Sequence, residues 1–195
     1  MTFWKEYFND ISQELGGRSD SFKRIFKYLD GLKDKEIFIV ETGCYREEDN
    51  YRGDGCSTLL FDNYVKHRGG SVISIDISPE ACELAKNTTS DKVEVICGDS
   101  VEELGYLEGK VNLLYLDSFN ITDWGNDWES SSHHLKELFA AKNIIKPETL
   151  IVVDDNLRAA DGRLLGKGRL IGELMDALHL KPFIDEYQIA WIWQE

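Results

Sequence analysis

Five short apolar runs, each closed by an acid or by a glycine and an acid, constrain this chain more than any other feature. They read "EIFIVETG", "SVISIDI", "KVEVICGD", "VNLLYLD" and "TLIVVDD". Each is too short for a helix and rich in branched residues, which is the pattern of a strand covered on both faces. Helical spacing fills the intervals: "CSTLLFDNYVKH", "SPEACELAKNT" with a serine cap and a first-turn proline, "SVEELGYL", and "ESSSHHLKELFAAKNII". A further helix, "GRLIGELMDALH", follows the fifth strand. Alternation of this kind predicts an α/β chain with a parallel sheet and helices on both faces, since crossovers are right-handed. "PFIDEY" and "IAWIWQ" leave no room for a crossover helix, so they must close the sheet as an antiparallel hairpin.

Two helices should precede the first strand. Trp4, Phe8, Ile11 and Leu15 share one helical face, and Phe22, Ile25, Phe26 and Leu29 another, after a capping-type "SDS". At 195 residues the chain fits one domain, a helical extension over 1–33 followed by a core over 34–195. The exposed-looking aromatics Phe3, Trp4, Tyr7 and Phe8 can cover the site or support a homodimer, with packing on the sheet as the default.

A formal charge of -14 repels phosphate backbones and anionic lipid, which argues against nucleic-acid and membrane partners. Arg158, Arg163, Lys167 and Arg169 are the only local basic candidates, and a solvated loop is the plainer reading of them. No apolar run approaches the roughly 20 residues that span a bilayer, and "MTFWKEYFNDISQEL" is unlike a targeting peptide. Cys44, Cys56, Cys82 and Cys97 lack zinc-ribbon spacing; Cys44 and Cys56 could meet across the charged interruption as a disulfide or a metal pair, but reduced, half-buried thiols are the plainer reading and fit a cytoplasmic protein.

Ligands of such sheets sit beyond the carboxyl ends of the strands. There the chain offers Glu41, Gly43 and Tyr45, then Gly55 and Ser57 past the charged interruption "REEDNYRGD". Asp76 ends the second strand, Asp99 and Ser100 follow the third, Asp117 the fourth, and Asp154, Asp155 and Asn156 the fifth. An acid at the end of the second strand can hold both hydroxyls of a ribose. Glycines admit a cofactor close to the backbone, and the helix start at Ser57 offers N–H groups to an anion.

"ETGCY", "GCS", "VISIDIS", "ICGDS", "LYLDS" and "VVDDN" together resemble the class I S-adenosylmethionine-dependent methyltransferases, especially the metal-dependent O-methyltransferases of the catechol and macrocin types. The resemblance covers about Ile37 to Asn156. It implies a Rossmann-like α/β/α sandwich with a mostly parallel seven-stranded sheet. It also implies that Glu41 approaches the methionine ammonium, that Gly43, Tyr45 and Gly55 line the cofactor, and that Ser57 holds its carboxylate. Asp76 would grip the ribose, Asp99 or Ser100 would lie near the adenine, and Asp117 would border the cofactor. A magnesium ion would sit on Asp117, Asp155 and Asn156, with Asp154 the alternative in register; an all-oxygen set suits such a hard ion. The implied reaction is O-methylation of a small hydroxylated acceptor, a sugar or a phenolic compound.

The base is where the chain departs from the resemblance. The catechol type carries a lysine three residues past the metal aspartate and the macrocin type an acid two residues on; here stand Asn120 and Phe119. Asp123, His133 and His134 are the candidate bases, and Trp124 and Trp128 candidate walls of the acceptor pocket. "GRLLGKGRLIGELM" reads as a mobile loop near the acceptor, and "REEDNYRGD" as a solvent-facing lid. Three rivals remain: a metal-independent N- or carboxyl-methyltransferase, a non-catalytic cofactor-binding domain, and a nicotinamide enzyme. Against the last, the first turn is not an uninterrupted Gly-x-Gly-x-x-Gly.

Overall fold

The structure is a computed structural model that describes residues 2–124 and 126–194. The chain has two compact units, residues 1–99 and 100–195.

In the first unit, Trp4–Phe8 winds as a π-helical turn into a short α1 (Asn9–Ile11), and a 3-10 turn leads into α2 (Ser19–Gly31). The first expected helix is thus broken into turns, while the second runs its full length. Phe22, Ile25, Phe26 and Leu29 are all fully buried, as their spacing requires. No side chain caps α2, so "SDS" does not act as a cap. Phe3 and Phe8 are buried against α2, with ring centroids 4.8 and 5.6 Å from Phe26. Packing accounts for these aromatics.

β1 (Ile37–Thr42), β2 (Gly70–Asp76) and β3 (Val93–Cys97) pair in parallel in the order β3-β2-β1, with Glu41 opposite Ser74 and Asp76 opposite Cys97. They are joined by α3 (Ser57–Arg68) and α4 (Pro79–Thr88). Ser78 caps α4 by accepting the Ala81 N–H at 3.2 Å, as the sequence predicts.

The second unit runs α5 (Ser100–Tyr106), β4 (Leu113–Leu116), α6 (Trp128–Ala140) and β5 (Leu150–Val153). β4 and β5 are parallel and buried throughout. β6 (Asn156–Arg158) and β7 (Leu164–Gly166) then form a separate antiparallel pair, where the sequence suggests a mobile loop. After α7 (Arg169–Ala177), β8 (Ile184–Asp185) and β9 (Ile189–Ile192) make the expected antiparallel closing pair, with β9 against β5. The fold is therefore Rossmann-like α/β, a mostly parallel seven-stranded sheet ending in an antiparallel hairpin and preceded by N-terminal helices.

Candidate functional site

The first-turn residues of the first unit are tied together by a threonine that none of the sequence motifs singles out. Glu41 is fully buried near the end of β1, and its Oε1 accepts the Thr58 hydroxyl at 2.6 Å. The same Thr58 oxygen accepts the Tyr45 N–H at 2.8 Å, and Thr58 is itself fully buried. Thr58 sits one residue past Ser57, in the first turn of α3, so the two ends of the interrupted turn meet at its hydroxyl. Gly43 (φ 82) and Gly55 (φ 78) adopt left-handed backbone conformations that glycine takes without strain. Cys56 (φ 50) does so without that freedom, just before the helix start.

Asp76 lies half-buried at the end of β2. Its Oδ2 accepts the Cys44 N–H at 2.9 Å and its Oδ1 the Ser78 N–H at 2.8 Å. Each oxygen keeps a second lone pair for another donor. Asp99 is exposed in the turn after β3.

The excursion after Tyr45 is exposed but tied to itself. Arg46 pairs with Asp54 at 2.5 Å, the Asp49 N–H donates to the Tyr45 hydroxyl, and Arg18 donates to the Arg52 and Gly53 carbonyls. All four cysteines are free thiols. Burial pushes Cys82 up to about 11 and Cys56 up to about 12, so both stay protonated at neutral pH.

In the second unit, the acids assigned to magnesium meet a lysine. The Lys167 ammonium is 2.5 Å from Asp117 Oδ1, 3.2 Å from the Asp117 carbonyl and 2.8 Å from Asp155 Oδ2. Asp154 is fully buried and accepts the Tyr115 hydroxyl at 2.7 Å and the Asp155 N–H at 2.8 Å. Asn156 is buried, with its amide donating to the carbonyls of Val153 and Asp154 and its Oδ1 accepting the Gly168 N–H. The expected donor set therefore does not fit a divalent ion: two members grip an ammonium, Asp154 is held by a tyrosine hydroxyl and a backbone N–H, and Asn156 braces the backbone. Among the described residues no group of three or more His, Cys, Asp or Glu is disposed to hold a metal. Burial raises the Asp117 carboxyl, opposed by the adjacent ammonium; burial pulls Lys167 down, but the two carboxylates outweigh it and leave the ammonium raised.

Lys167 is also the correction to the solvated basic loop. Its neighbours are paired as well: Arg158 with Asp185, Arg163 with Asp161, and Arg169 with Asp127. None of the four presents an unpaired cation to a phosphate.

The candidate bases separate clearly. Asp123 is exposed in the loop before α6. His134 is fully buried, its Nδ1 bonded to the Ser130 carbonyl at 2.7 Å, so no methyl acceptor reaches it. Burial lowers it to about 4, which keeps it neutral. His133 keeps partial exposure, and its Nε2 lies 3.1 Å from Ser100 Oγ and 3.3 Å from Glu137 Oε1. Ser100 and Ser118 both donate to that same Glu137 oxygen, at 2.5 and 2.7 Å. Because Ser100 gives its one proton to Glu137, His133 Nε2 must carry hydrogen, and Nδ1 holds the lone pair. These hydrogen bonds and the neighbouring imidazoles outweigh burial and hold Glu137 down at about 2. No sequence motif points to Glu137, although its spacing of four from His133 on one helix is visible there.

Phe119 and Trp124 are exposed on the segment between β4 and α6, Trp128 is exposed at the first position of α6, and Phe119 lies 5.4 Å from the His133 ring.

A search of curated proteins finds no match. Among solved structures, fibrillarin from Aeropyrum pernix, in complex with natively bound S-adenosyl-L-methionine, is 16% identical with a TM-score of 0.53, over 87% of this chain and 74% of that one. MycE methyltransferase of the mycinamycin pathway, in complex with Mg, SAH and mycinamycin VI, is 15% identical with a TM-score of 0.60, over 90% of this chain and 48% of that one. The SAH-bound methyltransferase PaMTH1 of Podospora anserina is 18% identical with a TM-score of 0.57, over 94% and 81%. At such identities the likeness is one of fold. A family profile described as a methyltransferase domain matches residues 52–156, more than half of the sequence, and the chain belongs to that family.

Proposed function

We propose that the protein transfers the methyl group of S-adenosylmethionine to a hydroxyl of a small molecule. The observation that carries the reading is Asp76: an acid at the end of β2, held in place by two backbone N–H groups, with lone pairs left for the hydroxyls of a ribose. Family membership and neighbours that hold this cofactor or its product support it. A charge of -14 favours a small acceptor over RNA.

Methyl transfer from a sulfonium is a direct displacement. The acceptor oxygen forms a bond to the methyl carbon as the carbon–sulfur bond breaks, and the hydroxyl proton leaves to a base. The chain contributes alignment, which lowers the barrier by removing entropy in advance, and a proton acceptor. His133 is the group suited to that task, with Nε2–H fixed on Glu137 and Ser100 and with Nδ1 as the basic atom. The exposed rings of Phe119, Trp124 and Trp128 suit an acceptor with an apolar face.

The test is calorimetry with S-adenosylhomocysteine and NAD, followed by transfer of labelled methyl from S-adenosylmethionine to a panel of sugars, phenols and RNA. Binding of S-adenosylhomocysteine with label on a hydroxylated small molecule is the expected result. Preferential binding of NAD, or label on RNA alone, overturns the reading.

A further inference from the structure

We propose that Lys167 is a tethered cation, occupying the place between Asp117 and Asp155 where carboxylates so arranged would otherwise gather a divalent ion, and that the site is metal-free by construction. The inference rests on the reading that this end of β4 and β5 faces the methyl acceptor.

Three features carry it. An ammonium has three N–H donors, and three oxygens receive them: Asp117 Oδ1, the Asp117 carbonyl and Asp155 Oδ2. The lysine side chain is only 1% exposed, whereas Asp117 and Asp155 are 17% and 20% exposed, so the cation lies deeper than its partners, and the second Asp155 oxygen, Oδ1, accepts the Tyr187 hydroxyl at 2.5 Å. The backbone is built to deliver it. Gly166 has φ +102, and a Cβ there would lie 2.2 Å from the Asp155 carbonyl oxygen; a Cβ on Gly168 would lie 2.6 Å from Asn156 Oδ1. Only glycine on each side lets the segment press against Asp155 and Asn156, just past the end of β5. The Lys167 N–H then donates to the Asp155 carbonyl at 3.2 Å.

With its donors engaged, the ammonium does not bind an acceptor directly. It acts through Asp117 and Asp155, holding two carboxylates together that would repel each other unpaired. Lys167 is thus a positioning residue. A metal entering this site would have to displace a buried, hydrogen-bonded ion pair, and breaking such a pair is costly.

The test titrates Mn2+ against the full-length protein and follows free Mn2+ by electron paramagnetic resonance. Wild type should show no stoichiometric site, and chelator should leave methyl transfer unchanged. Lys167→Ala should gain one site at least about tenfold tighter than any in wild type, which the double variant Lys167→Ala/Asp117→Asn loses. A merely structural lysine would not create that gain. One Mn2+ bound by wild type and lost in Asp117→Asn overturns the proposal, as does a folded Lys167→Ala that binds none. Should Lys167→Ala not fold, the wild-type titration decides alone. S-adenosylhomocysteine binding is read separately: its absence would sink the methyl-transfer reading and leave the Mn2+ result interpretable.

Discussion

The carboxylate of Asp76 holds the backbone N–H of Cys44, so the end of β2 fixes the path of the turn that leaves β1. One side chain thereby shapes the turn and presents oxygens beyond the strand end. Asp76→Ala should weaken S-adenosylhomocysteine binding by about 10- to 100-fold, since hydrogen bonds to a charged group are each worth about 1.5–3 kcal/mol. Calorimetry on the two proteins measures it. Equal affinities would remove Asp76 from the cofactor site.

Thr58 is the second keystone of that turn. Thr58→Val keeps the shape but leaves the Tyr45 N–H buried without this acceptor and takes the Thr58 hydroxyl donor away from Glu41. A loss of about 1–3 kcal/mol is expected, or a Tm lower by roughly 3–10 °C in a chain of this size. Thr58→Ser, which keeps the hydroxyl, should recover most of it. Thermal denaturation of the three proteins distinguishes a bonded hydroxyl from a merely well-packed methyl.

His134 makes stability depend on pH with a definite sign. Burial lowers it to about 4, so below its unfolded value near 6.5 the unfolded chain takes a proton that the native one refuses. Its contribution is present above pH 6.5 and is lost as pH falls towards 4. Glu137, held down at about 2, extends the loss below pH 4.5. Asp117, raised by burial, slopes the other way, so the wild-type curve alone does not isolate the histidine. His134→Asn does: its unfolding free energy should fall less between pH 6.5 and 4, by up to about 1.4 kcal/mol per pH unit. Parallel urea-denaturation curves across that range would refute it.

These elements differ in how far the sequence discloses them. The strands and the acids at their ends are legible because each depends on a local pattern: a branched apolar run, then a polar residue where pairing stops. α2 is legible through Phe22, Ile25, Phe26 and Leu29 for the same reason. Lys167 is not. Its partners Asp117 and Asp155 lie 50 and 12 positions away, and a lysine between glycines in an arginine-rich segment looks like a solvated loop until the folded backbone is known. Glu137 shows the intermediate case: its spacing from His133 is visible, but Ser100 and Ser118 join it from other elements.

If His133 is the base, Glu137→Gln should act on catalysis through it. The amide no longer stabilises an imidazolium, so the acid limb of the kcat profile should move to lower pH while the maximum rate falls, by about 10- to 100-fold. Binding of S-adenosylhomocysteine should change little. His133→Gln should abolish the limb itself. A profile unaltered by either substitution would move the base elsewhere.

The glycines beside Lys167 offer a test of the local architecture that needs no substrate. At Gly166 both the left-handed φ and the 2.2 Å approach to the Asp155 carbonyl forbid a side chain, whereas Gly17 is open, with nothing within 4 Å of where a Cβ would stand. Gly166→Ala must either move the backbone of β7 away from Asp155 and the start of β6 or strain it, and loses about 1–3 kcal/mol on the scale of core overpacking. Gly17→Ala should be near neutral. The contrast is informative beyond stability, because withdrawing β7 withdraws the ammonium from Asp117 and Asp155. Hydrogen exchange at the Lys167 and Gly168 amides should therefore accelerate in Gly166→Ala and not in Gly17→Ala. If both variants denature at the same temperature and protect those amides equally, the close approach of Gly166 to Asp155 does not hold Lys167 in place.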